Sequence, residues 1–134
     1  MKRLIATIVL LLPLAPLSAY AQKIDCENAS STVEMNFCAE KDFKAADKDL
    51  NVAYANAVAF IKERKLDKPY DSASFEEALR VSQRAWLAFR DADCKDLIAQ
   101  EWSGGTGTAA ASLECMTAKT QERTKELKDR YEEH

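Results

Sequence analysis

The sequence predicts an all-α fold: an elongated antiparallel three-helix bundle tied by two disulfides. Three observations lead there. Apolar residues recur at intervals of three and four through three long segments. Those segments are separated by one proline-bearing stretch and by one stretch that holds all three glycines. Four cysteines are spaced to close one link at the start of the first helix and another across the last turn.

The chain opens with Lys2 and Arg3, an apolar run from Leu4 to Leu17 interrupted by Pro13 and Pro16, and Ala19-Tyr20-Ala21. This is the pattern of a signal peptide cleaved after residue 21. The apolar run is shorter than the roughly 18–20 residues that a spanning helix needs. Gln22, not a cysteine, stands directly after the cleavage point, so no lipid anchor and no stable membrane tether is expected. Residues 22–134 are then one domain, periplasmic or secreted.

Residues 22–30 are polar and aperiodic, a lead-in that carries Cys26. Ser31-Thr32-Val33-Glu34 reads as a capping box. Ala39, Phe43, Ala46, Leu50, Ala53, Ala57 and Phe60/Ile61 then trace one face of a helix over 32–64, about 48 Å long. Pro69, in the charged stretch Lys65–Ser72, ends it. Ser74-Phe75-Glu76-Glu77 reads as a second capping box, opening a helix over 75–101. Its stripe is Leu79, Ser82, Trp86, Phe89, Asp93 and Leu97. The third helix spans 109–131, capped by Thr106 or Thr108, with Leu113, Met116, Thr120, Arg123, Leu127 and Tyr131 on its stripe.

The spacing of the cysteines suggests their pairing. Cys94 and Cys115 lie equally far from the glycine turn, so antiparallel helices bring them to the same height. That leaves Cys26–Cys38, fastening the lead-in to the first helix. The spacings do not suit a metal site, with no C-x-x-C and no nearby histidine.

Little in the chain suggests catalysis. The single histidine, His134, is the last residue, which leaves no Ser-His-Asp or Cys-His arrangement. Asp91/Asp93 and Glu76/Glu77 are neighbours that diverge on a helix, poorly placed as an acid and base pair. The expectation is a protein that is not an enzyme and takes no cofactor or metal. Arg123 lies on an apolar stripe and needs a carboxylate, with Asp93 or Asp47 available on the neighbouring helices. Asp47, Asp93 and Arg123 are therefore the expected structural polar network. Ser103, Gly104, Gly105 and Thr106 lack the following Lys-Ser/Thr of a phosphate loop. They read as a connector and as the candidate partner-binding turn, small enough to enter a concave cleft.

Of the 19 basic and 22 acidic side chains, the leader carries Lys2 and Arg3, so residues 22–134 bear a net charge of −5. That disfavours nucleic acid and anionic lipid and favours a basic partner.

Several blocks occur together: Asp25-Cys26; Glu34-Met35-Asn36-x-Cys38-Ala39; Ala46-Asp47-x-x-Leu50-Asn51-x-x-Tyr54; Gln83-Arg84-Ala85-Trp86-x-x-Phe89-Arg90-Asp91-Ala92-x-Cys94; Gly104-Gly105-Thr106; and Cys115 with Thr120-x-x-Arg123. In combination they resemble the lysozyme inhibitor LprI-like N-terminal domain family, over nearly all of residues 22–134. The resemblance implies a small secreted or periplasmic helical domain of bacteria and, for at least some members, inhibition of lysozyme; for this chain the expected mode is occlusion of the enzyme by a rigid surface. The competing expectations are a periplasmic envelope or assembly module and an immunity-type protein, each with a protein partner.

Overall fold

Ser31 starts the first helix as the capping box requires. Its hydroxyl accepts the Glu34 amide at 3.2 Å, and the Glu34 carboxylate accepts the Ser31 and Ser30 amides at 3.0 and 3.1 Å. The computed structural model describes residues 24–132, and the expected signal peptide, residues 1–21, and His134 lie outside them. Helix α1 spans Thr32–Glu63, and Cys38, Ala39, Ala46, Leu50, Ala53, Ala57 and Ile61 form its buried face.

Helix α2 spans Ser72–Asp91 and begins one turn earlier than the sequence suggested. Asp71, not Ser74, is the cap, accepting the Ser74 amide at 3.0 Å and lying 2.8 Å from the Ser74 hydroxyl. A carboxylate brings a full negative charge to the electropositive end of a helix, which a serine hydroxyl cannot. Glu77, expected to reciprocate Ser74, pairs instead with Arg80. A π-helical segment at Ala92–Leu97 and a last α-turn at Ile98–Glu101 continue α2 as one rod. Helix α3 spans Thr108–Tyr131. Among the described residues there is no strand.

The three rods run up, down and up, so α1 and α3 are parallel. At one end Met35, Cys38 and Ala39 line a groove with Glu114, Thr117 and Ala118. At the other, the Phe60 and Tyr131 rings lie 5.9 Å apart and the Asn56 amide donates to Glu132 at 3.4 Å. The α1–α3 interface is the most extensive in the molecule. Its small buried residues explain why: Ala46, Ala53 and Ala57 on α1 and Thr120 and Thr124 on α3 let the two backbones approach closely.

The apolar core fills only the half of the bundle away from the glycine turn. Leu50, Ala53, Ala57, Ile61, Leu79 and Leu127 form it, flanked by Phe60, Phe75, Trp86 and Tyr131. Each buried leucine or isoleucine contributes about 1.5–3 kcal/mol. The inward face of α2 and its continuation is rotated from the expected stripe. Leu79, Gln83, Arg90 and Cys94 are buried, while Phe89 is 56% exposed and Leu97 50%. The Cys94–Cys115 link sets this phase, because one rod can turn only one side toward α3 at the height of the disulfide.

The two caps confer acid sensitivity. Amide donation from Ser31 and Ser30 holds the Glu34 carboxyl below its ordinary value, and the Ser74 amide and hydroxyl do the same for Asp71. A lowered folded-state value stabilises the fold above the unfolded carboxyl range, and that contribution is lost as pH falls through the folded one. Replacing both by neutral isosteres (Glu34→Gln with Asp71→Asn) is expected to flatten the fall in melting temperature between about pH 5 and 3. Equal slopes in thermal melts of the variant and the natural protein would place the acid sensitivity elsewhere.

Candidate functional site: the disulfide-bearing end

Beyond the apolar core, the bundle is held by a polar layer built around Trp86. The guanidinium carbon of Arg90 lies 5.3 Å from the Trp86 ring centroid, and that of Arg123 lies 6.0 Å from it. Arg90, from α2, is buried. It donates to Asp91 through Nε at 3.0 Å and Nη2 at 2.9 Å, and to the Thr120 hydroxyl on α3 at 3.3 Å. It also stands 3.8 Å from Asp47 on α1 and 5.3 Å from the Phe43 ring centroid, so one side chain touches all three rods. Lys95, donating at 2.8 Å, and then Arg90 hold the Asp91 carboxyl below its ordinary value against the opposing effect of burial. Arg123, from α3, donates to Gln83 at 3.1 Å, Ser82 at 3.3 Å and Glu126 at 2.7 Å.

The structure therefore does not bring Asp47, Asp93 and Arg123 into one network. Asp47 faces Arg90, Asp93 pairs with Lys119 at 3.0 Å, and Arg123 is satisfied by Gln83, Ser82 and Glu126. Arg123 had no need of Asp93 because the rotated face of α2 offers it an amide oxygen. Sequence reasoning passed over Arg90. A signal was available, since Arg90 lies one turn before Cys94, and a residue four before an inward cysteine also points inward.

Past this layer both disulfides staple the end of the molecule. Cys94–Cys115 spans α2's continuation and α3 with a Cα–Cα distance of 5.4 Å, and Cys94 is fully buried. It lies in the π-helical segment, whose wider winding departs from the α-helical bonding pattern, and the Ser112 hydroxyl donates to the Cys94 carbonyl at 2.7 Å. Cys26–Cys38 holds the lead-in against α1 at a Cα–Cα distance of 5.6 Å. Within that lead-in Asp25 accepts the Asn28 side chain at 2.7 Å and the Glu27 amide at 3.1 Å, and these bonds lower its carboxyl.

The turn leaves the second rod through paired bonds, Gly104 amide to Ala99 carbonyl at 3.1 Å and Ser103 amide to Gln100 carbonyl at 3.0 Å. This is a Schellman closure, and its left-handed position is occupied by Ser103 (φ 50°), not by a glycine. Gly104 follows at φ 66°. Gly107 serves Trp102: a Cβ there would fall 2.3 Å from the indole ring, so only a glycine lets the ring lie against the backbone. Neither threonine caps α3. Gly107 occupies the cap position, and Thr108 is the first helical residue with its buried hydroxyl unpartnered.

The end so built exposes Val33 (74%), Phe37 (48%) and Trp102 (50%). It is also where the charge collects. Residues 25–44 and 91–115, which the topology brings together, carry ten acidic side chains against three basic, while the other described residues carry eleven against thirteen.

The polar layer makes a graded prediction. Arg90→Ala and Arg123→Ala are each expected to cost about 3 kcal/mol, since each leaves Trp86 and buried acceptors without their cation. Asp93→Ala, breaking a part-exposed pair, should cost about 0–1 kcal/mol. Denaturant unfolding of the three variants checks the order, and equal losses would refute it.

Comparison with known proteins gives two relatives and a family. The uncharacterized protein R02472 of Rhizobium meliloti (strain 1021) is 36% identical over 123 residues, covering 88% of this chain and 86% of that one. The uncharacterized protein YecT of Escherichia coli (strain K12) is 30% identical over 113 residues, covering 77% and 69%. No solved structure matches the chain. Residues 25–127 match the family described as lysozyme inhibitor LprI, a span that holds all four cysteines, the Trp86 layer and the glycine turn. The chain is a member of the lysozyme inhibitor LprI family.

Proposed function

We propose that the protein is an exported lysozyme inhibitor, not an enzyme, that occludes its target with the disulfide-bearing end. The observation that carries this reading is the axial separation of charge. The end with ten acidic and three basic side chains also displays Phe37, Val33 and Trp102 and is fixed by both disulfides. A surface of this kind suits a basic enzyme. Acidic groups speed encounter and select orientation, exposed aromatics supply contact area, and a stapled backbone loses little freedom on binding. The chemistry of the site is consistent with binding alone. Its cysteines are consumed by disulfides, and no histidine lies among the described residues.

Ser103 offers a second support. A serine held at φ 50°, where glycine would be unstrained, is a local cost that a purely connecting turn has no reason to keep. In this reading its hydroxyl faces the partner, and Ser103, Gly104, Gly105 and Thr106 enter the cleft. The expected leader and the family support export, and no described helix is long and apolar enough to cross a membrane.

The test is a turbidity assay of bacterial cell-wall lysis with animal-type, goose-type and invertebrate-type lysozymes. Inhibition of at least one is expected, weakening as salt shortens the screening length from about 10 Å at 0.1 M to about 3 Å at 1 M. Thr106→Trp should abolish it with the melting temperature unchanged. Ser103→Gly should raise stability by about 1 kcal/mol while weakening inhibition. Failure to inhibit any of the three at micromolar protein overturns the reading. Inhibition that survives Thr106→Trp moves the contact from the turn to the Val33–Phe37 face.

A further inference from the structure

We infer that the groove between the start of α1 and the start of α3 is a receptor for one arginine side chain of a basic protein partner. The inference rests on the reading of the acidic end as the partner-facing surface and names the chemistry it recognises. The groove holds about 460 Å³. Its apolar walls are Met35 and Ala39 from α1, Ala118 from α3, and the Cys26–Cys38 disulfide. Asp42 lines it from α1 and Glu114 from α3, and among the described residues no basic side chain lines it.

Both carboxylates are exposed, and neither makes an ion pair among the described residues. Three other carboxylates of this end are ion-paired: Glu40 with Lys44, Asp91 with Lys95 and Arg90, and Asp93 with Lys119. Lys44 is thereby withheld from Asp42, and Lys41, the next residue back on α1, borders other hollows. The groove is thus a slot with a greasy floor and two free negative groups supplied by different helices.

An arginine fits this arrangement better than a lysine. Its aliphatic stem covers Met35 and the two alanines, while its planar fork presents five donors, enough for two carboxylates and the Gln121 side chain that also lines the groove. A lysine head offers a compact charge with a tighter hydration shell. Both disulfides lie at this end, and Cys26–Cys38 is part of the groove wall, so the slot is pre-formed.

The experiment is a backbone-amide NMR titration of the purified protein with acetyl-Gly-Arg-Gly-amide and with its lysine counterpart. The expected result is a set of shifts centred on Met35, Ala39, Thr117 and Ala118, larger with the arginine peptide and absent in Asp42→Asn/Glu114→Gln. The pair Asp49→Asn/Glu122→Gln removes the same charge from exposed positions outside the groove and should retain them. Shifts elsewhere, an equal response to lysine, or equal loss in both variant pairs overturns the assignment. In the lysozyme assay Asp42→Asn/Glu114→Gln should weaken inhibition about tenfold. Unchanged inhibition shows that the partner does not use the groove and leaves the inhibitor reading intact. Groove shifts in a protein that inhibits no lysozyme keep the receptor and remove lysozyme as its target.

Discussion

Two guanidinium groups packed on one indole hold this bundle together across its middle. Trp86 is the only large ring at that height that faces inward from the second rod, and Arg90 and Arg123 stack beside it from two different helices. The arrangement solves a problem posed by composition. Helices α1 and α3 meet through alanines and threonines and leave little apolar volume for a third helix to fill. The second rod therefore docks through long side chains that are apolar along their stems and charged at their tips. Burying such groups is costly unless every donor is answered, and here Asp91, Thr120, Gln83, Ser82 and Glu126 answer them.

This division gives the molecule two unlike halves. One half has a hydrophobic core that needs no crosslink. The other has almost none, and there both disulfides occur. Crosslinks stabilise mainly by restricting the unfolded chain, so they can hold an end whose buried apolar side chains, beyond the half-cystines Cys38 and Cys94, are Ala39, Ala110 and Met116. That is what leaves Val33, Phe37 and Trp102 free for contact. An end that had to stabilise itself by burial would have drawn them inward.

Much of this was legible in the sequence, for identifiable reasons. Helix α1 announced itself through an uninterrupted stripe and a capping box, and both were found as read. The disulfide partners followed from a symmetry of spacing about the glycine turn. The orientation of α2 was not legible, because Trp86 belongs to both the expected stripe and the observed one, and the neighbours that choose between them are an arginine and a cysteine. The Asp71 cap was hidden by a Ser-x-x-Glu signature one turn downstream that fitted equally well. The partnership of Gly107 with Trp102 could not be seen, since only the fold of the turn lays the ring on that backbone. The charge pattern was missed for a different reason. Summed over residues 22–134 it is a modest −5, and only the topology reveals that two acidic segments distant in sequence share one end.

The parallel run of α1 and α3 has a physical consequence of its own. It puts the acidic segments at one tip and the slightly cationic remainder behind them, so the rod is an axial electric dipole roughly 48 Å long. Near a positively charged body such a rod feels a torque as well as an attraction. It arrives tip first, having already discarded most of the orientations in which a collision would be wasted.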